Sequence, residues 1–231
     1  MKRTHDLFYL NEDPLKVKQS FVEVLAAMND EEWASAADVG CAAGAFPGYV
    51  NENSLNKQVT GIEYVPELID AAALNFPKVN FLHGNVLDQN SVNIKFDVIT
   101  MLGVLCIFDD YSKVIGNVLS WLKPGGRLIL HNMFSDFDID VFVKYKPSGE
   151  FSKDEVLESG WNILSMSSLK IVAKLNGARV IDAYDLSLGI DLPKQSDVMR
   201  SWTELNNSGD RDIFNALHIR QPQKIVTLKR V

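Results

Sequence analysis

Ala36-Ala37-Asp38-Val39-Gly40-Cys41-Ala42-Ala43-Gly44 is the stretch on which the fold turns. A short apolar run passes into an acid and a glycine, the pattern of a buried strand entering a tight turn. Small residues there let the backbone approach a ligand and leave helix-start N–H groups available. Nineteen residues after Gly44 stands Glu63, at the end of a second predicted strand over 58–63. In nucleotide-binding sheets that position offers an acceptor for ribose hydroxyls. The turn by itself is also compatible with a strand-to-helix connection that binds nothing. A dinucleotide fingerprint would want glycines at 42 and 45, where this chain has Ala42 and Ala45. A nicotinamide dinucleotide is therefore disfavoured.

Outward from the turn, strands alternate with helices. The spacing predicts helices over 14–28 (Asp13 as cap ahead of Pro14), 46–56, 66–75 and 111–122. Strands are expected over 36–39, 58–63, 79–82, 96–102 and 127–131, the last launched by Lys123-Pro124-Gly125-Gly126. Five strands separated by helices argue for parallel βαβ units in a doubly wound sheet. Beyond His131 the rhythm breaks over 132–159, and then a helix over 167–176 and strands over 178–188 and 224–230 follow.

The 231 residues suit one large domain, and 46% hydrophobic with 23% charged residues is ordinary for a globular chain. A net charge of −7 weighs against a phosphate-backbone partner and towards a small-molecule acceptor. No run of about 20 apolar residues and no leader pattern is seen, so no membrane partner is expected. Cys41 and Cys106 are too few for a disulfide framework, and a reduced, cytoplasmic setting is the plain expectation.

Asp38–Phe46 resembles motif I of the class I S-adenosylmethionine-dependent methyltransferases, and the resemblance continues in register. Gly61-Ile62-Glu63-Tyr64-Val65-Pro66 looks like the family's second motif, Gly84-Asn85-Val86 its adenine-facing turn, and Phe96-Asp97-Val98-Ile99 with Leu102-Gly103 its fourth-strand motif. Leu122-Lys123-Pro124-Gly125-Gly126-Arg127-Leu128 is similar to the family's turn before the fifth strand. Ordered motifs over about 130 residues are more specific than any single glycine pattern.

The resemblance implies a Rossmann-like, doubly wound, seven-stranded α/β sheet, mostly parallel with an antiparallel last strand and helices on both faces. It divides a single domain 1–231 into a helical lead-in (1–35), a cofactor-binding core (36–131), an insertion (132–165) and a C-terminal helix with the last two strands (166–231). It implies S-adenosylmethionine as cofactor and S-adenosylhomocysteine as product. The residues expected at the cofactor are Asp38, Gly40, Cys41, Ala42, Gly44, Glu63, Tyr64, Asn85, Val86, Leu102 and Gly103. Glu63 would hold the ribose, the Gly40 and Gly44 backbone would border the methionine part, and the Asn85 carbonyl would face the adenine amino group. Ala42 departs from the family's middle glycine, and Asn85 from its more frequent aspartate. No metal is implied.

Methyl transfer from a sulfonium needs alignment and water exclusion, and a general base only for a protonated or weak nucleophile. His131, at the end of the fifth strand, is the candidate base; His83 and Cys106 are weaker ones. The aromatic-rich insertion (Phe134, Phe137, Phe142, Tyr145, with Trp161 beyond) reads equally as a substrate cover or as a packing subdomain or homodimer contact. Arg200, Arg211 and Arg220 read better as solvated charges than as an anion site. The competing functional readings are a protein or RNA methyltransferase and a non-catalytic S-adenosylmethionine-binding subunit. No Asn-Pro-Pro-Tyr signature follows the fourth strand, which continues as Met101-Leu102-Gly103.

Overall fold

Strand β1 (Ser35–Val39) lies in the interior of the sheet, third of seven strands, and all but its first residue are buried. Such strands read as continuous apolar runs. The computed structural model describes residues 6–146, 148–149, 157–196 and 199–231. In chain order these form α1 (Gln19–Met28), β1, α2 (Ala45–Asn53), β2 (Gln58–Glu63), α3 (Pro66–Asn75), β3 (Asn80–His83), β4 (Phe96–Leu102), α4 (Tyr111–Ser120) and β5 (Leu122–Ser135). Short strands β6 (Lys144–Tyr145), β7 (Glu158–Ser159) and β8 (Leu164–Ser165) follow, then α5 (Met166–Leu175), β9 (Ala178–Asp185), a hairpin of β10 (Trp202–Leu205) and β11 (Arg211–Phe214), and β12 (Gln223–Arg230).

The main sheet runs β3-β2-β1-β4-β5-β12-β9, with β8 extending β5. Pairings from β3 through β5 are parallel, and β12 runs antiparallel to both β5 and β9. This is the expected seven-stranded, mostly parallel sheet with an antiparallel last strand. The strands alternate sides with period 2, which splits the core into two layers. Val98, Ile129 and Ile225 pack on Phe21, Val24 and Phe46 of α1 and α2. Their neighbours Ile99, Leu128 and Val226 face Val114, Val118 and Leu169 of α4 and α5.

The family-like turn Lys123–Gly126 is a bulge inside β5, for Leu122 already pairs Phe96 before Arg127 pairs Val98. Two charged residues fasten this end of the sheet. The Asp97 carboxylate accepts from Ala34 N, Ser35 N and Lys123 Nζ at 3.1, 2.8 and 2.9 Å. Burial would raise its pKa, but the bonds from Lys123, Ser35 and Ala34 outweigh it and hold it at about 2. Arg127, also buried, donates to the Ala27, Met28 and Glu31 carbonyls and so satisfies the orphan acceptors at the end of α1.

Several boundaries shift from the sequence expectation, the α1 start and the β9 end among them by more than two residues, and one hairpin is added. Helix α1 begins at Gln19 rather than Pro14, because Lys18 is extended (φ −96°, ψ 148°) and residues 13–18 pass as a strap across the carboxyl ends of the strands. β9 ends at Asp185 rather than 188. The hairpin β10–β11 was not anticipated, although Asn206-Asn207-Ser208-Gly209 between two apolar-containing runs is a hairpin signal, and Gly209 supplies the positive φ (+83°) that the turn needs. No helix among the described residues is long and apolar enough to cross a membrane.

Candidate functional site

β1 leads to β2 on one side while β4 lies on its other side, so the strand order reverses between β1 and β4. In open α/β sheets the crevice at the carboxyl ends beside such a reversal receives the ligand. A cavity of about 270 Å³ occupies that place. Ten of the eleven residues expected at the cofactor line it; Gly44 does not. His131, on β5 and paired with Leu102 of the neighbouring β4, lines the same cavity.

Glu63 is its most highly constrained side chain. Its Oε1 accepts from Tyr64 N at 2.7 Å and Val65 N at 3.0 Å, and its Oε2 from Ala42 N at 3.0 Å. One carboxylate therefore joins the turn after β1 to the start of α3. Oε2 keeps a lone pair beyond its one bond, an acceptor that a ribose hydroxyl can use, whereas Oε1 already accepts two amides.

Asp38 is buried at the end of β1, where Thr100 Oγ1 donates to its Oδ1 at 2.8 Å. Burial, reinforced by the Glu63 charge and opposed by the Thr100 bond, pushes its pKa up to about 8. Gly40 (φ +74°) can hold no side chain: a Cβ there would stand 2.4 Å from Val104 Cγ2. Ala42 takes a left-handed φ of +48°, so the family's middle glycine position is met here by a strained alanine. The Cys41 thiol is buried and its pKa is pushed well up by that burial. Gly44 has a different task from the one expected. A Cβ would meet Ala72 and Phe81 at 2.9 Å, so its smallness seats α2 against α3 and β3 and does not border the cavity.

At the far wall Asn85 Oδ1 accepts from Leu87 N at 2.9 Å, closing a turn, which leaves one lone pair of that carbonyl for a ligand. Tyr64 lies at the rim, 40% exposed, with its ring 5.7 Å from that of His83, whose Nε2 is 2.9 Å from the Tyr64 carbonyl oxygen. His83 thus braces the rim and is absent from the cavity wall.

The other end is apolar apart from His131. Phe21, Val104, Ile107 and Phe108 line it beside the imidazole. His131 Nε2 is buried with no hydrogen-bond partner. Burial first, and then the Lys18 charge, lower its pKa to about 4 against a hydrogen bond to the Gln223 side chain, so the ring is neutral at physiological pH. Cys106 Sγ donates to the Gly103 carbonyl at 3.3 Å and packs with Met133 and Ile163, a structural setting.

The composition of the cover is what sequence reasoning missed. None of the described residues of 132–165 lines the cavity: Phe134 is fully buried in the core, Phe137 is 77% exposed, and Tyr145 packs edge-on against Trp161. The strap residues Tyr9, Glu12, Asp13, Pro14 and Lys18 form the wall instead. Glu12 anchors them, bridging Lys18 at 3.0 Å and Arg200 at 2.6 Å, while the Arg200 guanidinium stacks 4.7 Å from the Tyr9 ring. Arg211 and Arg220 pair with Asp191 and Asp212, each at 2.8 Å. Nothing in the polar composition of residues 9–18 distinguishes them from a solvated lead-in.

Residues 37–130 match the family model described as a methyltransferase domain. Residues 37–130 carry an S-adenosylmethionine-dependent methyltransferase domain. This domain is 32% identical over 129 residues to nodulation protein S of Rhizobium tropici, covering 54% of this chain and 53% of that one. It is 26% identical over 147 residues to a demethylmenaquinone methyltransferase of Bacillus cereus, covering 55% and 61%. The chain thus spans between half and two thirds of the length of these curated relatives. A crystal structure of an S-adenosylmethionine-dependent methyltransferase from Clostridium acetobutylicum superimposes with a TM-score of 0.59 over 98% of this chain and 96% of that one, at 15% identity. That likeness extends the fold of the methyltransferase domain beyond the family match to the whole chain.

Proposed function

We propose that the protein transfers a methyl group from S-adenosylmethionine to a small-molecule acceptor, with His131 as the general base. The observation that carries this reading is one cavity with the three-amide-anchored Glu63 at one end and an unpartnered, neutral His131 imidazole at the other. The lining fits the cofactor: a carboxylate to accept from the ribose diol, an Asn85 carbonyl to accept from the adenine amino group, and apolar Val86 and Leu102 to enclose the ring. The cofactor supplies a sulfonium-bound methyl open to in-line displacement.

The chain's own contribution is alignment, dryness and one proton acceptor. Phe21, Val104, Ile107 and Phe108 exclude water from the acceptor end. A neutral imidazole with a free Nε2 takes the proton of a hydroxyl or ammonium acceptor as it becomes nucleophilic. The relatives' names point to small molecules for one of them, demethylmenaquinone, and the net charge of −7 agrees. A reduced, cytoplasmic setting suits the two buried free thiols.

The test is to incubate the full chain with methyl-labelled S-adenosylmethionine and pools of small phenols, alcohols, amines and carbon acids, with total RNA and protein as parallel acceptors. Label in a small-molecule pool supports the reading; label in RNA or protein alone overturns it. With an oxygen acceptor, His131→Gln lowers kcat by about 10²–10⁴.

A further inference from the structure

A methyltransferase must exchange S-adenosylhomocysteine for fresh S-adenosylmethionine at every turnover, and one wall of the cavity is a segment with little apolar anchoring between its ends. Tyr9, Glu12, Asp13, Pro14 and Lys18 form that wall. Within it Leu15 and Val17 are 68% and 54% exposed, and Lys16 N closes a single turn on the Asp13 carbonyl at 3.2 Å. Segments that bury few apolar side chains open locally at small cost. The strap is anchored at its ends, where Leu7 and Tyr9 pack on the cluster of Ala43, Val65 and Leu68, and Gln19 Nε2 donates to the Ser187 carbonyl at 2.9 Å.

Between those ends a residue from far along the chain grips it. Glu12 Oε1 accepts from Arg200 Nη1 at 2.6 Å and its Oε2 from Lys18 Nζ at 3.0 Å, so one carboxylate joins a cation of the strap to a cation 188 residues away. The Arg200 guanidinium also lies 4.7 Å from the centroid of the Tyr9 ring. A planar guanidinium suits both contacts, one through its edge and one through its face. Arg200 is not among the residues that line the cavity. It adjoins Ser201, whose Oγ donates to the buried Gln221 side chain at 3.1 Å, and Trp202, which is buried in β10. The post is thus fixed to the β10–β11 hairpin, and the strap is the part that moves.

We propose that Arg200, through Glu12 and Tyr9, latches the strap of residues 9–18 and so gates cofactor exchange. With the latch made, the strap walls the cavity; with it broken, that side opens to solvent. Because Arg200 lies outside the cavity, breaking the latch changes how often that side opens and leaves the cavity's own contacts in place. Entry and exit therefore quicken together, and affinity changes much less. The inference rests on the cofactor occupying this cavity and is independent of the acceptor and of His131.

S-adenosylhomocysteine is the probe, because its ammonium and carboxylate leave it without net charge and added salt then acts on the latch. Stopped-flow mixing with the full chain gives kon and koff. Arg200→Met should raise both by roughly 3- to 30-fold, the combined worth of an ion pair and a cation–π contact, with Kd changed by less than about 3-fold. Arg200→Lys, which keeps the charge and loses the planar stack, should fall between. Wild-type rates should rise with salt while those of Arg200→Met stay flat. Without added ligand, Arg200→Met should speed amide hydrogen exchange over residues 7–18 and leave β1 and β4 as in wild type. A rise in koff alone, with kon unchanged, overturns the proposal, since it would mark lost cavity contacts and no gate. Ligand rates equal to wild type in a folded Arg200→Met overturn it as well, whatever the hydrogen exchange of the strap. Should Arg200→Met not fold, the wild type decides, and rates insensitive to salt overturn the latch. A misplaced cofactor is recognised separately, by Glu63→Gln binding S-adenosylhomocysteine as tightly as wild type.

Discussion

Glu63 Oε2 accepts a 3.0 Å hydrogen bond from the Ala42 amide, so the acid ending β2 fastens the turn that follows β1. Ala42 holds a left-handed φ of +48° while making this bond, and the same carboxylate takes two further amides from the start of α3. Two loops that a ligand must bridge are thereby positioned by one side chain before any ligand arrives.

Glu63→Gln should weaken S-adenosylmethionine binding by about 10- to 100-fold, because a hydrogen bond to a charged group contributes roughly 1.5–3 kcal/mol. The amide NH₂ would also turn a donor towards one of the backbone donors. Isothermal calorimetry on the folded variant is the measurement, and an affinity equal to wild type would put the ribose elsewhere.

Ala42→Gly exchanges two opposing costs. Glycine removes about 1–2 kcal/mol of left-handed strain and adds roughly 0.4–1 kcal/mol of unfolded-state entropy. Urea unfolding should therefore show glycine equal to wild type or more stable by up to about 1.6 kcal/mol. Ala42→Val, whose branched Cβ tolerates this φ poorly, should lose more than Ala42→Gly.

Gly40→Ala places a methyl 2.4 Å from Val104 Cγ2 at φ +74°. Overpacking with backbone strain should cost about 2–4 kcal/mol. Because the obstructing atoms are the Val104 methyls, Gly40→Ala combined with Val104→Ala should recover part of that loss. Denaturant melts of the full double-mutant cycle should give a coupling of about 1 kcal/mol, whereas strict additivity would mean that the strain is backbone alone.

Asp38 and His131 oppose one another in pH. Burial raises Asp38 to about 8, so folding takes up a proton between about pH 4, the unfolded value, and pH 8, and this group's contribution falls as pH rises through that window. Burial and Lys18 lower His131 to about 4, so its contribution is present above about pH 6.5 and is lost as pH falls towards 4. The two slopes cancel below about pH 6.5 and leave Asp38 alone above it. Asp38→Asn, which keeps an acceptor for Thr100, should abolish a loss of stability of up to about 1.4 kcal/mol per pH unit between pH 6.5 and 8. Equal slopes in the two proteins, read from urea midpoints, would refute the buried acid as their source.

The parts of the fold legible in the sequence were those governed by local patterns. The strands over 58–63 and 96–102 and the helix over 66–75 have the bounds the spacing predicts, since continuous apolar runs and a proline at the helix start act over a few residues. The strap failed for the opposite reason. Pro14 with Asp13 before it imitates a helix start, yet Glu12 and Lys18 pair with each other, Arg200 clasps Glu12 from 188 residues away, and the chain between makes only one turn, closed by Lys16 N on the Asp13 carbonyl, beside the cavity. For the 132–159 segment the sequence left a cover and a packing role level, and among its described residues Phe134 is claimed by the core and Tyr145 by Trp161.

Asp38 to Gly44 and Glu63 named the cofactor from the sequence only together with the later motifs in register with them, because a spaced-glycine turn and a strand-end acid are local patterns that a turn binding nothing can also show. Only the tertiary structure assigned their separate tasks, giving Glu63 three amides to hold, Gly40 a place against Val104, and Gly44 to packing rather than to the cavity. It also decided the acceptor end. The His131 imidazole is held neutral by burial and the Lys18 charge, brought to it from 113 residues earlier, and no local pattern encodes a meeting of that kind.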